Sequence, residues 1–201
     1  MYQYIDQEFV EKDFNQASLN DGELRNCTFT KCRFRGANLA EIWTTSCHFI
    51  DCDFSGASFN GSVHTRSAFT NCKFIDANLF VSKFEECKMI GSDFASAKLD
   101  GITILGGDWS YTNLRHVNLA KQQLRAIRLV EADLTDSNLE KADLRDADLT
   151  RARLGKVKLK GADLRGARMD GVDFKALDIQ GVRMDTGQAI AFTRSYGAKL
   201  D

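Results

Sequence analysis

The side chains able to do chemistry in this chain are three histidines, His48, His64 and His116, and six cysteines, at positions 27, 32, 47, 52, 72 and 87. Nucleophilic or general-base catalysis needs a histidine set against a serine, cysteine or carboxylate in a fixed geometry, and no such constellation stands out. The cysteines are spaced by five and its multiples, not in the paired CxxC pattern of a zinc site, so a metal is not expected. Aspartates at 133, 143, 148, 163 and 173 fall on the same beat, which produces carboxylate pairs without any selection for acid–base work. The glycines of GDW and KGADLRG do not open a helix, which argues against a phosphate-binding loop. The basic run RARLGKVKLK, residues 151–160, directs its charges outward at different corners and reads as solvated surface. The chain is therefore expected to be neither an enzyme nor the holder of a cofactor.

His64, in SVHTRSAF (62–69), points to the element that positions it. Stepping by five from Tyr4 to Met184 visits 37 positions, of which 35 are aromatic or large aliphatic, and only Thr44 and His64 break the series. Two residues before each lies a second column, where 25 of 37 members are Ala, Cys, Ser, Gly or Thr and all six cysteines are found. A period of five matches neither a 3.6-residue helix nor a two-residue strand. A chain that turns a corner every five residues keeps both columns inside, giving a square coil of about twenty residues. About nine such coils, stacked at about 4.8 Å, form a rod roughly 43 Å long. The absence of proline suits continuous backbone ladders. Ten of the fifteen glycines lie two after the central residue, the natural corner, where positive φ is expected.

On this register His64 points inward on the same side as Thr44. A buried imidazole is costly without a hydrogen bond, so Thr44 or a nearby carbonyl is its expected partner. Stacked Cys27 and Cys47 come close enough for a disulfide, but a reducing cytoplasm opposes one. Outward on the His64 side are Trp43, Val63 and Arg66, and a second apolar pair, Phe80 and Val81, replaces the usual polar residues of the repeat. Exposed bulky groups of this kind mark candidate partner-binding positions.

Formal charge is −1, with 14 acids and 10 bases in the first hundred residues and 14 acids and 17 bases in the remainder. Neither half carries a field strong enough to imply direct nucleic-acid or membrane binding. The opening MYQYIDQEF has acids and no long apolar run, so a cytoplasmic protein without signal or anchor is expected. One domain is expected over residues 1–186. The beat ends at Met184, and 187–201 should form a short helix capped by Asp185 or Thr186 and ended by Gly197. Its stripe of Ala189, Phe192 and Tyr196 must cover the last coil, a second copy of the chain, or both.

Units such as ADLRD, ADLTR and ADLRG resemble the A(D/N)LXX signature of the pentapeptide repeat family, and the register holds over residues 2–186. The resemblance implies an all-β fold, a right-handed quadrilateral β-helix. The tail after DIQGVRM, and the stretch SGASFNGSVHTRSAFTNCKF, are similar to the Qnr and MfpA quinolone-resistance group, nearest to the loop-free MfpA type. That likeness implies dimerisation through the C-terminal helix, with Met184, Ala189, Ile190, Phe192, Tyr196 and Leu200 at the interface. It also implies a DNA-mimicking rod that binds a type II topoisomerase, at the DNA-receiving saddle of DNA gyrase or of topoisomerase IV. The alternative is an interaction scaffold of the same fold with an unrelated partner.

Overall fold

A computed structural model describes residues 3–199. The chain winds as a four-sided parallel coil whose pairing advances by twenty residues at every step. On the first side Tyr4 pairs with Leu24, Leu24 with Thr44, Thr44 with His64, His64 with Phe84, and Phe84 with Ile104. The strands there are β1 (Gln3–Ile5), β3 (Glu23–Arg25), β5 (Trp43–Thr45), β7 (Val63–Thr65), β9 (Lys83–Glu85) and β10 (Thr103–Leu105). On the second side β2 (Glu8–Val10), β4 (Thr28–Thr30), β6 (His48–Ile50) and β8 (Ala68–Thr70) pair in the same way. Elsewhere the sides carry single parallel bridges, still twenty apart, such as Asp108 to Arg128 to Asp148 to Arg168.

The two kinds of side differ at the outward position just before the central residue. On bridge sides that position is commonly Asp or Asn, whose side-chain oxygen accepts from the backbone N–H two residues on, as in Asn38 to Ala40 (3.1 Å), Asp53 to Ser55 (2.9 Å) and Asp133 to Thr135 (3.0 Å). A tight turn then closes, Ala37 N–H donating to the Phe34 carbonyl at 3.0 Å. In the ten strands the same position is held by Gln3, Glu8, Glu23, Thr28, Trp43, His48, Val63, Ala68, Lys83 and Thr103, with no Asp or Asn among them. A short side chain that captures its own backbone competes with a pleated strand, and a longer or β-branched one does not.

Every corner from Asp6 to Gly181 is left-handed except Ala176, which lies in a 3-10 turn. The ten corner glycines have φ between +62° and +74°, yet 25 non-glycine residues hold the same conformation, so glycine is permitted there and not required. Crowding strengthens the demand for it at several positions, Gly101 and Gly107 among them. Gly101 lies against Val81, itself at φ +50°, and a Cβ at 101 would fall 2.8 Å from the Val81 Cγ1. Gly107, at φ +92°, would place a Cβ 2.1 Å from the Cys87 carbonyl oxygen.

The interior is a single column. Phe9, Phe29, Phe49 and Phe69 stack at 4.7–4.9 Å on the second side, and Phe14, Phe34, Phe54, Phe74 and Phe94 at 4.8–5.2 Å on the third. Phenylalanine gives way to leucine at Trp109, which is fully buried and lies against Phe94 and Phe84.

The far end is closed by a 3-10 turn, Phe174–Ala176, and by α1 (Thr186–Ser195). Asp185 caps α1 by accepting from Gln188 N–H at 3.0 Å, while the Gln188 side chain accepts from Asp185 N–H. Gln188 Nε2 also donates to the carbonyls of Leu164 and Ala167, and Phe192 packs edge-on against Phe174. The Ala167 carbonyl, which has no further coil to pair with, is thereby satisfied, and the Leu164 carbonyl, already bonded by the Ala167 N–H, gains a second donor.

Candidate interaction surface

Inside the rod, the polar interruption is a closed hydrogen-bond chain. His64 is fully buried, and its Nδ1 lies 2.8 Å from Thr44 Oγ1 while its Nε2 lies 2.9 Å from Ser62 Oγ. Thr44 Oγ1 lies 3.0 Å from Ser67 Oγ, which donates to the Thr65 carbonyl and accepts from Cys47 N–H. With the proton on Nδ1, every hydroxyl proton in this chain has an acceptor. Thr44 is thus the partner the sequence indicated. Ser62 and Ser67 were missed, although both occupy the small inward column on either side of His64. Burial lowers the His64 pKa to about 3, so the ring stays neutral. Its ring stacks on Phe84 at 4.6 Å and reaches no surface, so the Ser–His–Thr chain has no access to a substrate.

The six thiols are free and buried. Cys52 and Cys72 donate to the Phe29 and Phe49 carbonyls one coil away. Burial pushes the Cys47 and Cys87 thiols up to about 11, which removes nucleophilic character at neutral pH.

The partner candidates sort into two places. Trp43 is 60% exposed and pairs directly with the half-buried Val63. Phe80 and Val81, each about half exposed, lie on the edge where the fourth side meets the first, near Val63. Arg66 stands at the opposite corner of the first side, apart from that cluster. Val81 is a β-branched residue at positive φ, a costly conformation in an exposed place. Below Trp43 a groove of about 420 Å³ is lined by Asp21, Gly22, Glu23, Glu41 and Trp43.

Towards the C-terminus the surface carries its own counter-ions. Arg145 and Arg165 hold Asp143 and Asp163 by paired bonds of 2.6–2.9 Å, and Arg128 and Arg168 reach Asp108 and Asp148 one coil away. The exposed run at 151–160 joins this pattern through Arg151 with Glu131 and Arg153 with Asp133.

On α1 the deepest residue is Gln188, not a member of the expected apolar stripe. Phe192 and Met184 are half-buried, Phe192 against the last coil, while Ala189, Ile190 and Tyr196 face outward. Leu200 lies outside the described residues. No helix among the described residues is long and apolar enough to cross a membrane.

Known proteins share this architecture. Residues 10–41, 112–151 and 147–185 match the model described as pentapeptide repeats (8 copies), and residues 42–114 match that of a pentapeptide repeat region. A trypsin-treated form of QnrB1, described as a plasmid-mediated fluoroquinolone resistance protein, superposes with a TM-score of 0.86 at 22% identity, over 100% of both chains. Full-length QnrB1 gives 0.71 at 21% identity, over 98% of this chain and 100% of its own. No curated protein sequence matches the chain.

Proposed function

The chain belongs to the pentapeptide repeat family, and on that footing we propose that it is a quinolone-resistance protein: a non-enzymatic, cytoplasmic partner of type II topoisomerase, gyrase or topoisomerase IV, that modulates the enzyme and its response to quinolones. The observation that carries this reading is the end-to-end likeness to QnrB1, helix included, with both chains covered in full. The buried, carbonyl-bound thiols and the sealed His64 chain support a role without catalysis.

The rod works by imitating DNA in shape, and its net excess of acid lies in the first hundred residues, with 14 acids to 10 bases against 14 to 17 in the remainder. Two copies join through α1, whose outward Ala189, Ile190 and Tyr196 lie beside Met184 and Phe192, and this doubles the length of the rod. Purified protein is expected to alter gyrase supercoiling, ciprofloxacin-induced cleavage, or both. No change in either assay at micromolar protein would end the topoisomerase reading.

The second reading, a scaffold with an unrelated partner, is favoured by the self-paired charges of the C-terminal coils, which leave little of that surface to imitate phosphate. It predicts that Trp43→Ala or Phe80→Ala abolishes capture of some other protein while topoisomerase is unaffected throughout.

A further inference from the structure

The groove beneath Trp43 has a chemistry of its own. Its apolar wall is the exposed indole of Trp43, held on β5 with Glu23 before it and Val63 after it in the ladder. Asp21 and Glu41 occupy one corner column a coil apart, both at φ +55°, so the backbone sets them about one strand spacing, ~4.8 Å, from each other. Glu23 already accepts from Gln3 and pairs with Arg25. Asp21 has a neutral partner, the Asn20 amide at 2.6 Å. The Glu41 carboxylate has no hydrogen bond or ion pair among the described residues. Of the three carboxylates only Glu23 is paired with a cation among the described residues, and the two without one are stacked beside an aromatic face. Gly61, next in the corner column after Glu41, adds no side chain to close the notch.

We propose that this groove seats the side chain of an arginine carried on a basic segment of a partner protein, its guanidinium over the Trp43 ring and forked towards Asp21 and Glu41. A planar guanidinium both stacks on an indole and bonds carboxylates in a fork, which an ammonium group cannot do. Val63, Val81 and Phe80, farther along the same edge, supply an apolar shelf for the residues beside that arginine. Nucleic acid has the wrong charge for the site. The inference extends the topoisomerase reading without depending on it.

The test uses the two tryptophans, one exposed at 60% and the other, Trp109, fully buried. The full chain is titrated at low salt with acetyl-Gly-Arg-Gly-amide and, separately, with its uncharged citrulline counterpart. Trp43 emission and its indole N–H resonance are followed. The arginine peptide should shift Trp43 saturably and leave Trp109 in place, while the citrulline peptide should bind about tenfold more weakly or worse. The double variant Asp21→Asn, Glu41→Gln, with its melting temperature checked, should lose the response.

The proposal is overturned by no saturable shift, by an equal response to citrulline, or by an unchanged response in the double variant. It is also overturned if Mg²⁺ moves Trp43 and the peptide does not, or if Trp43 shifts with protein concentration alone, which would make a second copy the occupant. No arm contains topoisomerase, so failure here leaves the supercoiling test untouched, and failure there leaves this one standing.

Discussion

Residues 3–105 and 106–185 keep the same five-residue beat and build different material from it. The first stretch holds all ten strands, both phenylalanine ladders, all six cysteines and the Trp43 edge. The second has bridges and a 3-10 turn in place of strands, leucine at every inward central position from 114 to 164, and both partners of nine of the thirteen ion pairs among the described residues. A coil needs its inward columns, but each side is free to be a capped turn or a strand. Where Asp or Asn is spent on capping the backbone, the outward surface is polar and pairs with the next coil. Where the side is a strand, that position is released, and Trp43 and Val63 occupy it. The regular half is thus built for neutral, self-satisfied stacking, and the irregular half has surface to spare for a partner.

The sharpest way to break this contrast is at the junction. Gly107→Ala should cost more than ~4 kcal/mol or prevent folding, because the new methyl meets the Cys87 carbonyl at 2.1 Å. Gly56→Ala, at φ +67° with open space around it, should cost only about 1 kcal/mol. Similar melting of the two variants would mean that the junction relaxes freely.

Next in size is the core itself. Phe49 and Leu149 belong to the same side, and truncating each to alanine should cost about 3–5 and about 2–4 kcal/mol, respectively. Phe49 loses stacking on both Phe29 and Phe69. Equal losses in denaturant titrations would remove the energetic distinction between the phenylalanine and leucine stretches of this column.

The halves should also part company in acid. The folded His64 pKa, about 3, lies below the unfolded value of ~6.5, so the unfolded chain takes up the proton in that window. Stability from the neutral ring is therefore full above pH ~6.5 and lost as pH falls. His64→Leu should match the parent at pH 7.5 within about 1 kcal/mol and exceed it by about 2 kcal/mol at pH 5. Ser62 has a substitute acceptor available, as Ser82 shows by donating to the Phe59 carbonyl at 2.8 Å. An unchanged pH dependence in the variant would show that the ring does not control it. In the second half Arg145 and Arg165 hold the Asp143 and Asp163 carboxyls below their usual range, so that contribution is present above the unfolded value near 4 and lost only in stronger acid.

The smallest effect belongs to the charge ladder. Arg128→Ala should change stability by less than about 1 kcal/mol, since its link to Asp108 is solvated and 3.5 Å long. A larger loss would make these pairs structural and not merely neutralising.

Much of this was legible in the residues alone. Tyr4 through Met184 announces the coil because a beat of five can be buried in no simpler way, and the Thr44–His64 contact follows from their separation of twenty. The division into strand and turn sides was written there too, in whether Asp or Asn precedes the central residue, but the periodicity of the hydrophobic columns does not reveal it. Gln188 could not be found by looking for apolar stripes, because its burial is decided by the carbonyls of Leu164 and Ala167 at the open end of the last coil. The sequence by itself determined the length of the coil, its inward columns and its polar defect, all properties of spacing along one chain. Tertiary structure alone decided that Ser62 and Ser67 complete the His64 chain, where α1 docks, and that Asp21, Glu41 and Trp43 share a groove. Those depend on which side chains meet across coils, and a side chain with several partners in reach takes the one whose geometry fits.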